Sequence, residues 1–388
     1  MPFLLSFLAC RPADPSGRPA RLAADPPVDT APVADPTRCN DGVVGVPPAC
    51  RLAGTYGLDT ADVIWHGEQP RAWCGTSVVG GADLDGDGAP DVVLGCPGES
   101  AGGVHGGVVH VFTGHPALVS AQYGAGDRTD LRVEHADYAR LGGDVDRGNF
   151  GFALAVVDLG ADGAFDLVVG APYGGNGEAE GSVAVAAGPL EEGVVAPTTR
   201  WWGARARGSF GKAVAAGGGL GAVPEVAVAE YGVHDAGRVY LLSDGAPGSA
   251  DEVAAAILHG RCDDAAPDCP VEGVPGAETG RGLAVGDLDG DGVEEVVVGA
   301  PFDDAGGADA GAVYVHRAGG SGALVAERVA LGAPGDELGR SVVVADADAD
   351  GQMDLLVGAP GASAVADGGG AVYVAAGPVG STVDLPAL

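Results

Sequence analysis

Three stretches of the chain carry carboxylates at relative positions 1, 3, 5 and 9, with a glycine at position 6. They are Asp83, Asp85, Asp87 and Asp91; Asp287, Asp289, Asp291 and Glu295; and Asp346, Asp348, Asp350 and Asp354. The glycine permits a sharp turn, and the residue after it (Ala89, Val293 or Gln352) can offer a backbone carbonyl. An all-oxygen set of this kind suits a hard cation, calcium before any other. A weaker copy has Asp158, Asp162 and Asp166 with the Ala164 carbonyl, but Gly160 stands where the second carboxylate belongs. Acids that merely solubilise turns would be scattered, whereas these keep one order.

These loops need elements to hold them. Each opens like an EF-hand, yet Val298 stands where the closing Glu would be, and no helix pattern flanks it. Apolar runs on either side, Leu283 to Val285 and Val296 to Val298, read instead as the arms of a hairpin. A Gly-x-Val-x-Val strand (Gly311 to Val315) and a fourth near Glu327 to Leu331 complete a four-strand meander. Successive loops start about 60 to 75 residues apart, the spacing of propeller blades with some longer connections. In a fifth copy, Gly217 to Glu225, Gly, Leu, Ala and Val replace the acids ahead of Glu225 while the strand pattern persists, so that copy is expected to bind nothing. The expected fold is all-β: a closed β-propeller of four-stranded antiparallel blades with five legible repeats, six or seven blades being the alternatives. A strand near Asp62 to Trp65 is expected to complete the blade formed by Leu355 to Val357 and Ala371 to Val374.

Asn149-Phe150-Gly151 and Ser209-Phe210-Gly211 precede two of the units, and Gly170-Ala171-Pro172, Gly299-Ala300-Pro301 and Gly358-Ala359-Pro360 close three. With the acidic loops between them, these units resemble the FG-GAP repeats of integrin α-chain propellers and of many bacterial extracellular proteins, over about residues 63 to 380. The resemblance implies calcium in the loops and a role in binding or adhesion. It does not imply an integrin-like β-subunit, since nothing here resembles the stalk or membrane span and only five units are legible where integrin heads have seven.

Composition narrows the function. A formal net charge of −34 and a single lysine, Lys212, exclude a nucleic-acid backbone as partner. No Gly-x-Ser-x-Gly elbow, His-Glu-x-x-His or phosphate loop is present, and the repeated acids do not read as an active site, which is built once per domain; a non-enzyme is expected. His105, His110 and His115 are expected at the surface or in turns, because their spacing does not converge on a metal. Trp201 and Trp202 read as core, and Arg200, Arg205 and Arg207 as a solvated strand edge.

Residues 1–10 resemble a secretory signal ending in a bacterial lipoprotein box, Leu8-Ala9-Cys10, which makes Cys10 the candidate for lipidation. Residues 11–38 are rich in Pro, Ala and Asp and read as a spacer, residues 39–62 as a small disulfide-closed segment, and 63–388 as the propeller. Six further cysteines suit an oxidising compartment. They allow 15 connectivities, of which pairing by nearness joins Cys39 with Cys50, Cys74 with Cys96 and Cys262 with Cys269. A zinc site lacks the Cys-x-x-Cys spacing it needs. The expectation is an exported, cell-surface calcium-binding scaffold for an extracellular protein, with a glycan-binding propeller or a non-catalytic accessory domain of a surface hydrolase as the alternatives.

Overall fold

The structure, a computed structural model, describes residues 63–379 apart from 101–103, 115–128, 133–137, 176–179, 206, 219–225, 232–236, 244–246, 260–276, 319–323 and 364–367. The candidates Cys10, Cys39, Cys50, Cys262, Cys269 and His115, and most of the loop at 217–225, lie outside the described residues.

Five sheets follow one another along the chain. The first holds β2 (Ser77–Gly80), β3 (Val92–Cys96), β4 (Val108–Phe112) and β6 (Ala139–Gly142), and β10 (Gly193–Val194) adds to its edge in parallel. The second holds β7 (Ala153–Val157), β8 (Asp166–Ala171), β9 (Ser182–Ala186) and β11 (Thr199–Trp202), with β15 (Gly248–Ser249) at its edge. Next come β12 (Phe210–Ala216), β13 (Val226–Glu230), β14 (Arg238–Leu242) and β16 (Ala256–His259), with the short helix α1 (Ala250–Val253) before the last. The fourth contains β17 (Gly282–Gly286), β18 (Glu295–Ala300), β19 (Ala312–Ala318) and β20 (Leu324–Leu331), and the fifth β21 (Ser341–Ala345), β22 (Asp354–Ala359) and β23 (Ala371–Ala375). The first strands pack in series, β2 on β7 on β12 on β17 on β21, which is the arrangement of propeller blades.

The core lies between consecutive sheets, and strand periodicity explains why the second strand of each is an unbroken apolar run. In β8, Leu167 and Val169 face the first sheet while Val168 faces the third; in β13, Val226 and Val228 face back and Ala227 and Ala229 forward; in β18, Val296 and Val298 face back and Val297 forward. Alternate residues point to opposite faces and both faces are covered, so polar residues are confined to the strand ends, as with Asp166, Glu230 and Glu295. Trp201 is fully buried in this core, and Trp202 is half-buried.

The N-terminal strand departs from expectation. β1 (Val63–His66) does not complete the fifth sheet; it pairs in parallel with β5 (Thr129–Arg132). Its Trp65 ring sits 5.0 Å from that of Phe112, so the strand buries its aromatic side chain against the first sheet.

Candidate metal centres

Each acidic loop connects the first two strands of a sheet, and its carboxylates are held by the loop's own backbone. Asp83 accepts N–H groups from Gly86 and Asp87 with one oxygen (2.8 and 3.1 Å) and from Gly88 with the other (2.8 Å). Asp287 does the same with Gly290 and Gly292, and Asp346 with Asp350 and Gly351. Asp85, Asp289 and Asp348 each accept the N–H two residues on, as do Asp87, Asp291 and Asp350. The turn requires left-handed backbone at positions 4 and 6: Gly86, Gly290 and Ala349 at the first, Gly88, Gly292 and Gly351 at the second. Position 2 plugs the loop into the core through Leu84 and Leu288, both buried, whose carbonyls accept N–H groups from Leu190 and Val379.

The acid at position 9 is the buried keystone. Asp91 accepts the Leu84 N–H with one oxygen (2.8 Å) and the Gly114 N–H with the other (2.9 Å), and Asp354 repeats this with Ala347 and Gly377. Glu295 accepts the Leu288 N–H at 2.8 Å. Burial pushes the Asp91 carboxyl up to about 6 and that of Glu295 up to about 7, with neighbouring carboxylates adding to the rise and the backbone N–H groups opposing it. Asp85 is raised for the same first reason.

Carboxylate oxygens converge within 4.8 Å of one another in three groups: Asp83, Asp85 and Asp91; Asp287, Asp289 and Asp291; Asp346, Asp348 and Asp354. These all-oxygen donor sets fit a hard divalent cation, whose charge would offset the mutual repulsion of the acids. The fourth loop shares the backbone, with Asp158 holding Asp162 and Gly163, Asp166 holding Leu159 and Gly188, and left-handed Ala161 and Gly163. Without a carboxylate at Gly160 it is not among the groups that converge in the described residues.

Several residues behave differently from the sequence reading. His110 is not a surface residue: it is fully buried, and its Nε2 lies 3.1 Å from the buried Glu99 carboxylate, because strand β4 is covered on both faces. His105 lies in a left-handed turn with Nδ1 2.6 Å from the Gly98 carbonyl. Arg200 pairs with Asp144 and Arg205 with the buried Glu230, leaving Arg207 exposed. Cys74 and Cys96 form a disulfide, as pairing by nearness predicts.

One recurring feature shows its sequence signature in only two of its five copies. At the entry to each first strand the chain places a left-handed residue, one side chain, then a left-handed glycine: Trp73-Cys74-Gly75, Asn149-Phe150-Gly151, Ser209-Phe210-Gly211 (its last two residues already in β12), Glu278-Thr279-Gly280 and Glu337-Leu338-Gly339. Only two of the five show the Phe-Gly pair, so the signal legible in all is the glycine and its distance from the strand. That geometry repeats in every sheet, and a family model described as FG-GAP repeat matches residues 75–112, 279–316 and 338–375.

The chain carries FG-GAP repeats. Phosphatidylinositol-glycan-specific phospholipase D of Bos taurus is 38% identical over 105 residues, 27% of this chain and 11% of that protein. Integrin alpha-PS5 of Drosophila melanogaster is 33% identical over 115 residues, 29% of this chain and 10% of its own length. The FG-GAP matches thus span about a tenth of the length of these relatives. Among solved structures, α-L-arabinanase of Cellvibrio cellulosa complexed with arabinohexaose overlaps 76% of this chain and 90% of its own, at 10% identity and a TM-score of 0.33, too slight a likeness to bear on function. Among the described residues no helix is long and apolar enough to cross a membrane.

Proposed function

We propose that this protein is a calcium-stabilised, non-catalytic binding scaffold, exported to the cell surface, where it engages an extracellular protein in adhesion. The observation that carries this reading is the set of three all-oxygen clusters, each prebuilt by its own backbone at the same end of a different blade. FG-GAP repeats shared with an integrin α-chain support a protein ligand. The Cys74–Cys96 bond supports an oxidising compartment, and Cys10 is the lipid-anchor candidate of this reading. A second reading, an accessory domain serving a hydrolase, draws support from the repeat's presence in a chain named as a phospholipase D. The repeated loops supply no nucleophile and base in mutual reach, which favours binding over catalysis.

The test is a thermal melt in calcium, in magnesium and in chelator. At a calcium concentration about tenfold above the dissociation constant, each site should add ~1.4 kcal/mol, and three independent sites ~4 kcal/mol. Calcium should raise the midpoint, and magnesium should do much less because it demands octahedral geometry and keeps its waters. Asp289→Ala should remove about a third of the calcium response, while Asp158→Ala should leave most of it. A midpoint unchanged by chelator would overturn the metal assignment, and turnover of esters, phosphoesters or glycosides would overturn the non-catalytic reading.

A further inference from the structure

The acidic loops occupy one end of the blades, and the strand topology puts a different chemistry at the other. Each first strand runs from its left-handed lead-in to its acidic loop, and the second strand returns to the lead-in end. At about 3.3 Å per residue, strands of this length set the two ends well apart. In the first three blades the lead-ins read Arg71-Ala72-Trp73-Cys74-Gly75, Arg147-Gly148-Asn149-Phe150-Gly151 and Arg207-Gly208-Ser209-Phe210-Gly211. All three arginines are exposed, and all three have left-handed backbone, with φ of 64°, 58° and 59°. Gly335 fills the same place in the fifth blade. A glycine would hold the turn without strain, so an arginine there is retained against backbone preference, which points to use of its side chain.

These cations differ from the others at that end of the molecule. Arg200, Arg205, Arg281 and Arg340 are each paired with a carboxylate, of Asp144, Glu230, Glu278 and Glu337 respectively. Among the described residues, Arg71, Arg147 and Arg207 have no side-chain hydrogen bond or ion pair. Large apolar side chains stand exposed beside them. Trp73 is 56% exposed and lies against Gly98, where a Cβ would come within 3.1 Å of the indole. Tyr173, 44% exposed, donates its backbone N–H to the Gly148 carbonyl next to Arg147. Of the nearby acids, Asp144 pairs with Arg200, Asp146 accepts the Val104 N–H, and the buried Glu99 and Glu230 face His110 and Arg205.

We infer that this face of blades one to three binds an acidic polysaccharide. Unpaired guanidinium groups recur once in each of blades one to three, exposed aromatic rings (Trp73 and Tyr173) stand near two of them, and a chain of carboxylated or sulfated sugar rings alternates the two matching features: forked anions for arginine and ring faces for stacking. A polyanion would be repelled by a molecule of net charge −34 unless local cations received it, which makes the three arginines decisive. This inference rests on the reading of the chain as a binding module and names the chemistry of a ligand.

The experiment measures binding of polygalacturonate and of heparin, with dextran as the neutral control and polyglutamate as the acidic-peptide control, at low and high salt. Both acidic polysaccharides should bind, more weakly at high salt, and dextran should not. The combined variant Arg71→Gly, Arg147→Gly and Arg207→Gly should bind at least about tenfold more weakly while its melting midpoint holds or rises, since glycine relaxes the left-handed turns. Trp73→Ala should weaken binding without altering its salt dependence. Equal binding by the triple variant, or by the corresponding triple Gln variant should the first not fold, would overturn the inference, as would equal binding of dextran. Binding of polyglutamate alone would replace the sugar with an acidic protein. If no polyanion binds while calcium still raises the midpoint, this inference fails and the scaffold reading stands.

Discussion

Lys212, the chain's single lysine, is half-buried with its ammonium 4.5 Å from the centre of the Tyr231 ring. Burial pulls its pKa below the ordinary 10.5; Glu278 opposes the shift and Arg281 adds to it. The folded state therefore releases the proton more readily than the unfolded chain does. Its charged form costs stability at neutral pH, and that cost fades as pH rises from the lowered pKa to about 10.4. Tyr231, pushed up to about 12 by its own burial, stays neutral through that window. The cation–ring attraction, about 0.5–1 kcal/mol, works in the opposite direction. Lys212→Met should thus change stability by less than about 1 kcal/mol at pH 7 and should lose the alkaline gain that the wild type shows. Urea melts from pH 7 to 10.5 check this, and a loss of several kcal/mol at pH 7 would show that the ammonium is instead a structural requirement.

At the scale of elements, the glycine of the Gly-Ala-Pro signal has a specific task. The lead-in glycine donates its N–H to the second-strand glycine of its own blade, as Gly151 does to Gly170 and Gly339 to Gly358. Its carbonyl presses on the second-strand glycine of the preceding blade: a Cβ on Gly95 would lie 2.0 Å from the Gly151 oxygen, and one on Gly299 1.9 Å from that of Gly339. Blades are therefore joined through contacts between glycine backbones. Gly299→Ala should destabilise by about 1–3 kcal/mol or more through forced displacement of the next blade, whereas Gly218→Ala, which meets nothing within 4 Å, should stay within about 0.5 kcal/mol. Denaturant midpoints of the two variants separate these cases. The second-strand glycine was legible in the sequence because it recurs beside a β-branched run. Its partner was legible only where Phe150 and Phe210 stand before it, since Cys74, Thr279 and Leu338 fill the same place and the requirement falls on the backbone. The acidic loops were legible as loops because their spacing is local, but not which acids converge: Asp87, Glu295 and Asp350 stand outside the three groups. The pairing of β1 with β5 was not, since four residues of strand carry no record of which edge they will meet, and His110 was misread because its cover comes from distant parts of the chain.

The whole molecule shows why the first blade needs a covalent tie. Phe150 and Phe210 fill the lead-in position of their blades from within the core, while the first blade has Cys74 there, bonded to Cys96 at the end of β3. A packed aromatic ring is replaced by a bond that spans 22 residues and encloses the loop of Asp83 to Asp91. Closing a loop of that length removes freedom from the unfolded chain worth about 3 kcal/mol. The disulfide thus ties together the two strands that flank the first acidic loop in addition to their own ladder, whereas the strands flanking the loops at Asp287 and Asp346 are joined by their ladders and packing without such a bond. Cys74→Ser with Cys96→Ser should lower stability by about 3 kcal/mol, and reductant should bring the wild type down to the variant's midpoint while leaving the variant unmoved. Calcium titrations should then show the reduced protein losing affinity at the Asp83 loop and keeping it at the other two. An undiminished calcium response in the reduced protein would show that the strands β2 and β3 hold their register without the bond.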